Sequence, residues 1–126
     1  MKKTISLRNS IEFHNVYKEK KAKSDKYFLM FIRKNGLDHN RLGISVSKKI
    51  GNSVVRHRLT RLIKESYRLH EDVFSSGLDI VVTIRGKKND PQLTLYLDKL
   101  KRQDVDIIIV NLAKKHHIYK IEKKYN

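Results

Sequence analysis

Seven lysines and arginines lie between His39 and Lys64, and that stretch holds no aspartate or glutamate. Arg41 comes first, then Lys48 and Lys49, and Arg56, Arg58, Arg61 and Lys64 follow at helical spacing, with His57 and Arg68 on the same surface. An ordinary solvated helix mixes signs, because opposite charges three or four residues apart support it. A one-signed set is suited to phosphate, which guanidinium and ammonium groups neutralise and hold by charge-assisted hydrogen bonds. Arg56 and Arg58 also sit in the first turns of the expected helix, where the positive dipole end favours acids. Cations there make sense when an anion arrives from outside and uses the backbone amides as well.

Residues able to break bonds are hard to find. There is no G-x-S-x-G elbow, no P-loop and no H-E-x-x-H pair. His116 and His117 are adjacent and so cannot share a helix face, and no acid stands at ligand spacing from them. Glu71, Asp72, Asp104 and Asp106 fall near helix ends, and no set of converging carboxylates of the two-metal kind is visible. Catalytic side chains and a protein-borne metal are therefore not expected, and neither is a small-molecule substrate. The 126 residues carry a formal charge of +16, which a polyanion would neutralise. There is no cysteine, hence no disulfide framework or thiolate site. The N-terminal lysines precede no apolar stretch of signal-peptide length, and the run Ile107 to Val110 is too short to span a bilayer. The expectation is a soluble, intracellular chain of one domain, residues 1–126, whose partner is a polyanion, either nucleic acid, the commonest, or an anionic membrane surface.

The elements that would position the cations follow from periodicity. Gly51 to Arg68 reads as an amphipathic helix capped by Asn52 or Ser53, with Val55, Leu59, Leu62, Ile63, Ser66 and Leu69 on its apolar face. Before it, Arg41 to Lys49 reads as a strand with Leu42, Ile44 and Val46 on one side and Ser45, Ser47 and Lys49 on the other. Tyr27 to Arg33 is apolar at both parities and is expected to pair with it as an antiparallel hairpin through the Asn35-Gly36 turn. Leu78 to Arg85, dense in Ile and Val, is expected to be central and parallel to the Arg41 strand across the helix. Lys2 to Arg8 reads as an extended arm. A short helix capped by Asn9 or Ser10 follows, with Phe13, Val16 and Tyr17 on its apolar side. A second basic cluster, Lys18, Lys20, Lys21 and Lys23, comes after it. Residues 86–106 are ambiguous: Leu93, Leu95 and Leu97 alternate like a strand, yet Leu97 and Leu100 also fit a helix. A last helix is expected from Gln103 to His117.

The run RLGISVSKKIGNSVVRHRLTRLIKESYR, Arg41 to Arg68, closely resembles the signature of the bacterial ribonuclease P protein component. Glu12-Phe13 with Val16-Tyr17, the strand Tyr27 to Ile32, the strand Leu78 to Arg85 and the tail Asn111 to Lys120 are similar to further parts of that family. The resemblance implies an α+β or α/β fold in the order αβββαβα, a small mixed sheet packed by helices. It would be like the second domain of ribosomal protein S5, with a left-handed βαβ crossover. It also implies a role: a catalytic RNA using Mg²⁺ removes the 5′ leader of precursor tRNA, and the small protein assists. By this resemblance Lys48, Lys49, Arg56, Arg58, Arg61 and Lys64 would contact the catalytic RNA, and Phe13, Tyr17 and Phe31 would hold the single-stranded leader. His57 and Thr60 stand where the family usually has Asn and a cation. Two other readings stay open on the residues alone. One is a small ribosomal-type RNA-binding module. The other is a helix-turn-helix DNA binder, disfavoured by the strands around the basic helix.

Overall fold

The computed structural model describes residue 1 and residues 3–120. Its centre is β5 (Leu78–Ile84), the sequence LDIVVTI, whose β-branched residues are buried on both faces of the sheet. β5 pairs along all seven residues with antiparallel β3 (Phe28–Lys34) and along five with parallel β4 (Arg41–Ser45). β1 (Ile5–Ser6) adds to the outer edge of β4 and β2 (Ala22–Asp25) to the outer edge of β3, giving the order β1-β4-β5-β3-β2. The expected hairpin between β3 and β4 does not exist, because β5 lies between them. The reason is visible at Asp79, which is fully buried and stands in register with Arg33 on one side and Arg41 on the other. Only the central slot gives this buried carboxylate both cations.

The parallel β4–β5 pair is joined through α2 (Ser53–His70), as the strand-helix-strand pattern predicts. α2 and α4 (Arg102–Lys115) cover one face of the sheet. Leu59 and Ile63 of α2, Val105, Ile109 and Leu112 of α4, and Met30, Ile80 and Val82 from the strands share that main core. Each such side chain contributes roughly 1.5–3 kcal/mol when fully buried. Tyr67 and Leu69 lie on opposite flanks of the α2 stripe. The core takes Tyr67, whose hydroxyl meets Thr4 Oγ1 at 2.9 Å and accepts from Asn40 Nδ2 at 3.2 Å. Leu69, expected inside, is 47% exposed.

The ambiguous stretch before α4 is a helix, α3 (Pro91–Asp98). Asp90 caps it, accepting from the amides of Gln92 and Leu93, and Pro91 opens the first turn, where a missing N–H costs nothing. Leu93 and Leu97, one turn apart, go into the core, while Leu95 is exposed. The helical period therefore prevails over the strand alternation. Tyr27 ends outside β3 and meets Tyr96 of α3, ring centroids 5.1 Å apart, instead of sharing a face with Phe31. The Arg41 strand ends at Ser45, since Ser47 to Ile50 turns back with Ile50 N–H donating to the Ser47 carbonyl. The remaining helix, α1 (Ser10–Tyr17), lies on the other face of the sheet and is fixed by a capping box. Asn9 accepts from the Glu12 amide at 2.9 Å, and Glu12 accepts from the Asn9 amide at 3.3 Å.

Candidate nucleic-acid interface

The basic helix starts where Asn52 accepts from the Val55 amide at 3.0 Å, and its first turn contains no acid. At 100° per residue, His57, Arg61, Lys64 and Arg68 fall within about 60° of one another, directly opposite the buried Leu59, Ile63 and Ser66. All four are exposed. Arg68 is paired with Glu65 at 2.7 Å, whereas His57, Arg61 and Lys64 make no hydrogen bond or ion pair among the described residues. Lys48 and Lys49 are exposed in the turn that leads into the helix. Ser53, Val54, His57, Arg58 and Arg61 line a shallow depression of about 480 Å³.

Two of the expected phosphate ligands have other work. Arg58 donates through Nη1 to the Leu97 carbonyl at 3.1 Å and through Nη2 to the Leu100 carbonyl, so it caps the C-terminal end of α3. Arg56 lies on the flank of the stripe and donates from Nε to the Gly51 carbonyl at 3.1 Å. Thr60, where a cation would add charge, turns its hydroxyl to the Arg56 carbonyl at 2.9 Å.

The opposite face of the sheet carries three rows across the strands. The first is ionic. Arg41 Nε and Nη2 donate to the two oxygens of Asp79 at 2.8 Å each, and Asn35 Nδ2 donates to the same carboxylate at 2.9 Å. Arg33 stands 3.4 Å away, and Arg41 Nη1 reaches Glu12 at 3.2 Å. Burial pushes the Asp79 carboxyl up, but the Arg41 and Asn35 hydrogen bonds and the two arginine charges outweigh it and hold it below its usual range. Glu12 is held low mainly by the Arg8 amide. This network ties α1 to the sheet, and the sequence reading did not find it. The available signal was Asp79 itself, an acid inside an otherwise apolar strand.

The second row is Ala22, Phe31, Val81 and Gly43 in register across β2, β3, β5 and β4. Phe13, Tyr17 and Phe31 come together over it. The Tyr17 and Phe31 rings meet edge-on with centroids 4.9 Å apart, and Phe13 is 6.4 Å from Tyr17. All three are half-buried against Leu7, Val16 and Val81, so each is part core and part surface. Phe13 occupies the space a side chain at Gly43 would need: a Cβ there would come within 2.6 Å of the ring. The third row, Ser24, Leu29, Thr83 and Ser45, is half-buried and continues the surface away from α1.

Among the described residues no three His, Asp or Glu converge as a metal site would need. The two adjacent histidines are divided: His116 is half-buried with Nε2 at 2.7 Å from the Met30 carbonyl, and His117 is exposed. Among the described residues no helix is long and apolar enough to cross a membrane.

The Ribonuclease P family model matches residues 1–114. The chain is 48% identical over 113 residues to the ribonuclease P protein component of Lachnoclostridium phytofermentans, covering 90% of each. Among solved structures it is similar to the ribonuclease P protein of Thermotoga maritima, with 33% identity, a TM-score of 0.76 and coverage of 94% of this chain and 98% of that one. It is also similar to the protein from Staphylococcus aureus, with 26% identity, a TM-score of 0.74 and coverage of 90% and 96%. A five-stranded mixed sheet packed by helices thus matches a family in both sequence and fold, and this chain belongs to the ribonuclease P protein component family.

Proposed function

We propose that this chain is a docking and substrate-positioning subunit that binds a catalytic RNA through the outer face of α2 and the 5′ leader of precursor tRNA through the aromatic patch. The observation that carries the reading is the pairing of two surfaces. Arg61 and Lys64, with Lys48 and Lys49 beside them, make no hydrogen bond or ion pair among the described residues. Phe13, Tyr17 and Phe31 keep ring surface exposed over a sheet face that no second helix covers. Phosphate neutralisation suits a folded RNA. Partly exposed aromatic faces suit unpaired bases, which stack without demanding a sequence. Hydrolysis would come from the RNA. Asp79 and Glu12 already have their oxygens engaged by Arg41, Asn35 and backbone amides, so these acids do not fit as Mg²⁺ ligands. We assign Mg²⁺ to the RNA and the substrate, and the cytoplasm as the place of action.

The reading is tested by the affinity of the protein–catalytic RNA complex for precursor and mature tRNA. The precursor should bind more tightly, and Phe13→Ala should remove about 1–3 kcal/mol of that preference, the cost of losing one stacking partner. Equal weakening of both RNAs would mean that Phe13 serves only the fold. A ribosomal-type module would bind folded RNA without any such preference.

A further inference from the structure

Two rows of residues run side by side across β4, β5 and β3 beneath α1. One is Arg41, Asp79 and Arg33, and the other is Gly43, Val81 and Phe31. Their members are alternate residues of the same strands, so the rows share a sheet face and lie about 7 Å apart. We infer that Glu12 is a positioning residue for leader recognition: through Arg41 it holds α1 so that Phe13 is seated over Gly43 before RNA arrives. The inference rests on the aromatic patch being the leader site.

Glu12 uses its two oxygens for two tasks. Oε1 accepts from the amides of Arg8 at 2.6 Å and Asn9 at 3.3 Å, and so closes the first turn of α1. Oε2 accepts from Arg41 Nη1 at 3.2 Å, a contact that the cap does not need. Arg41 is in turn immobile, because Nε and Nη2 hold both oxygens of Asp79, which is fully buried and also bound by Asn35. A guanidinium held by two parallel bonds fixes direction as well as distance. The next residue of α1 is Phe13, whose ring occupies the place of a Gly43 side chain. Glu12 and Phe13 thus meet the same strand at positions two residues apart.

The far end of α1 repeats the arrangement more loosely. Glu19, just past the helix, stands 4.0 Å from Arg33, the other arginine of the ionic row. Glu12 to Glu19 is about 10.5 Å at the helical rise. Arg41 to Arg33 is two strand spacings, about 9.6 Å. The lengths agree, so the two acids reach the two arginines with α1 running across the strands. The simpler explanation is that the ionic row exists only to satisfy Asp79, but Arg41 and Asn35 do that without Glu12. Packing alone holds α1 weakly. It has eight residues, and of these only Val16 is buried. A helix so short does not stand without tertiary support. A ring ordered in advance need not be ordered at binding.

The test compares precursor and mature tRNA binding to the reconstituted protein–RNA complex, using Glu12→Gln, Phe13→Ala and the double variant. Glutamine keeps an acceptor for the Arg8 and Asn9 amides and removes the charge facing Arg41, so the cap and the fold remain. Glu12→Gln should lower the preference for precursor about two- to tenfold, the cost of ordering one side chain at binding, and leave mature tRNA affinity unchanged. In the Phe13→Ala background it should lower the preference no further, because a residue that acts through the ring has nothing left to act on. In the free protein, the nuclear Overhauser contact between the Phe13 ring and the Gly43 α-protons should weaken in Glu12→Gln. A preference lowered by Phe13→Ala but not by Glu12→Gln overturns the inference and leaves the aromatic site intact. Additive losses in the double variant, equal weakening of mature tRNA, or an unchanged ring contact overturn it by giving Glu12 another role. A preference untouched by Phe13→Ala overturns the aromatic reading and the inference with it.

Discussion

Two groups of cations from one basic run behave in opposite ways. Arg41, on the inner side, is spent on Asp79 and Glu12, and Arg58 on the carbonyls of Leu97 and Leu100. Arg61 and Lys64, a few residues further on, have no such partner among the described residues and face outward. The lesson is that a formal charge of +16 overstates what an RNA partner can use. Part of the charge is consumed in fixing α1, beside the aromatic patch, and α3, beside α2. Of what remains, Arg61 and Lys64 stand close together on one side of α2, where self-repulsion is accepted in the absence of a ligand.

The comparison breaks most readily at Asp79. Asp79→Ala should cost about 3–5 kcal/mol, because Arg41 is left without its carboxylate at a mostly buried site. Urea unfolding measures this, and a loss below about 1 kcal/mol would mean the ionic row is ornamental. Acid gives a second view of the same pair. The Asp79 carboxyl is held below its ordinary value near 4. Its contribution is therefore full above about pH 4 and disappears as pH falls through the lowered value. In Asp79→Asn that part of the acid limb should be missing.

Next in size is Arg58 against its neighbours. Arg58→Ala should destabilise the fold by about 1–3 kcal/mol, since the Leu100 carbonyl loses its guanidinium donor while the Leu97 carbonyl keeps the Leu100 amide. Arg61→Ala with Lys64→Ala should leave thermal stability within about 0.5 kcal/mol. The same pair should lower the salt slope of binding to the catalytic RNA by about 1.5, at roughly 0.7–0.9 per phosphate contact. A reversed pattern, with Arg58 governing the salt slope and Arg61 the stability, would exchange their roles.

Gly43→Ala acts on the aromatic patch itself. The added Cβ must displace the Phe13 ring, which is half-exposed and can swing, so the fold should lose no more than about 1–3 kcal/mol. Preference for leader-bearing tRNA should fall as the ring leaves its place over the sheet. An unchanged preference would show that the position of Phe13 is not what the leader reads.

Much of this was legible in the sequence. The α2 stripe and its Asn52 cap follow from period and spacing, the parallel β4–β5 pair from the strand-helix-strand order, and the meeting of Phe13, Tyr17 and Phe31 only from the family resemblance. The order of the strands is not. Whether β5 enters between β3 and β4 depends on Asp79 finding Arg33 and Arg41, both more than thirty residues away. The division of labour on α2 is hidden for a similar reason. Arg58 and Arg61 read alike until α3 exists, and α3 was lost to the alternation of Leu93, Leu95 and Leu97 although Asp90-Pro91 marks its start. The edge strand β2 gave little signal, because Ala-Lys-Ser-Asp has no apolar alternation to reveal it.

The central claim is that this chain supplies a surface and an RNA supplies the reaction. Reconstituted cleavage of precursor tRNA across a Mg²⁺ titration tests it most directly. The account predicts no cleavage by the protein alone. With the cognate catalytic RNA, it predicts cleavage at Mg²⁺ concentrations too low for that RNA by itself, with the advantage reduced in the Arg61→Ala, Lys64→Ala protein. Leader removal by the protein without RNA, or an unchanged Mg²⁺ requirement with it, would contradict the account.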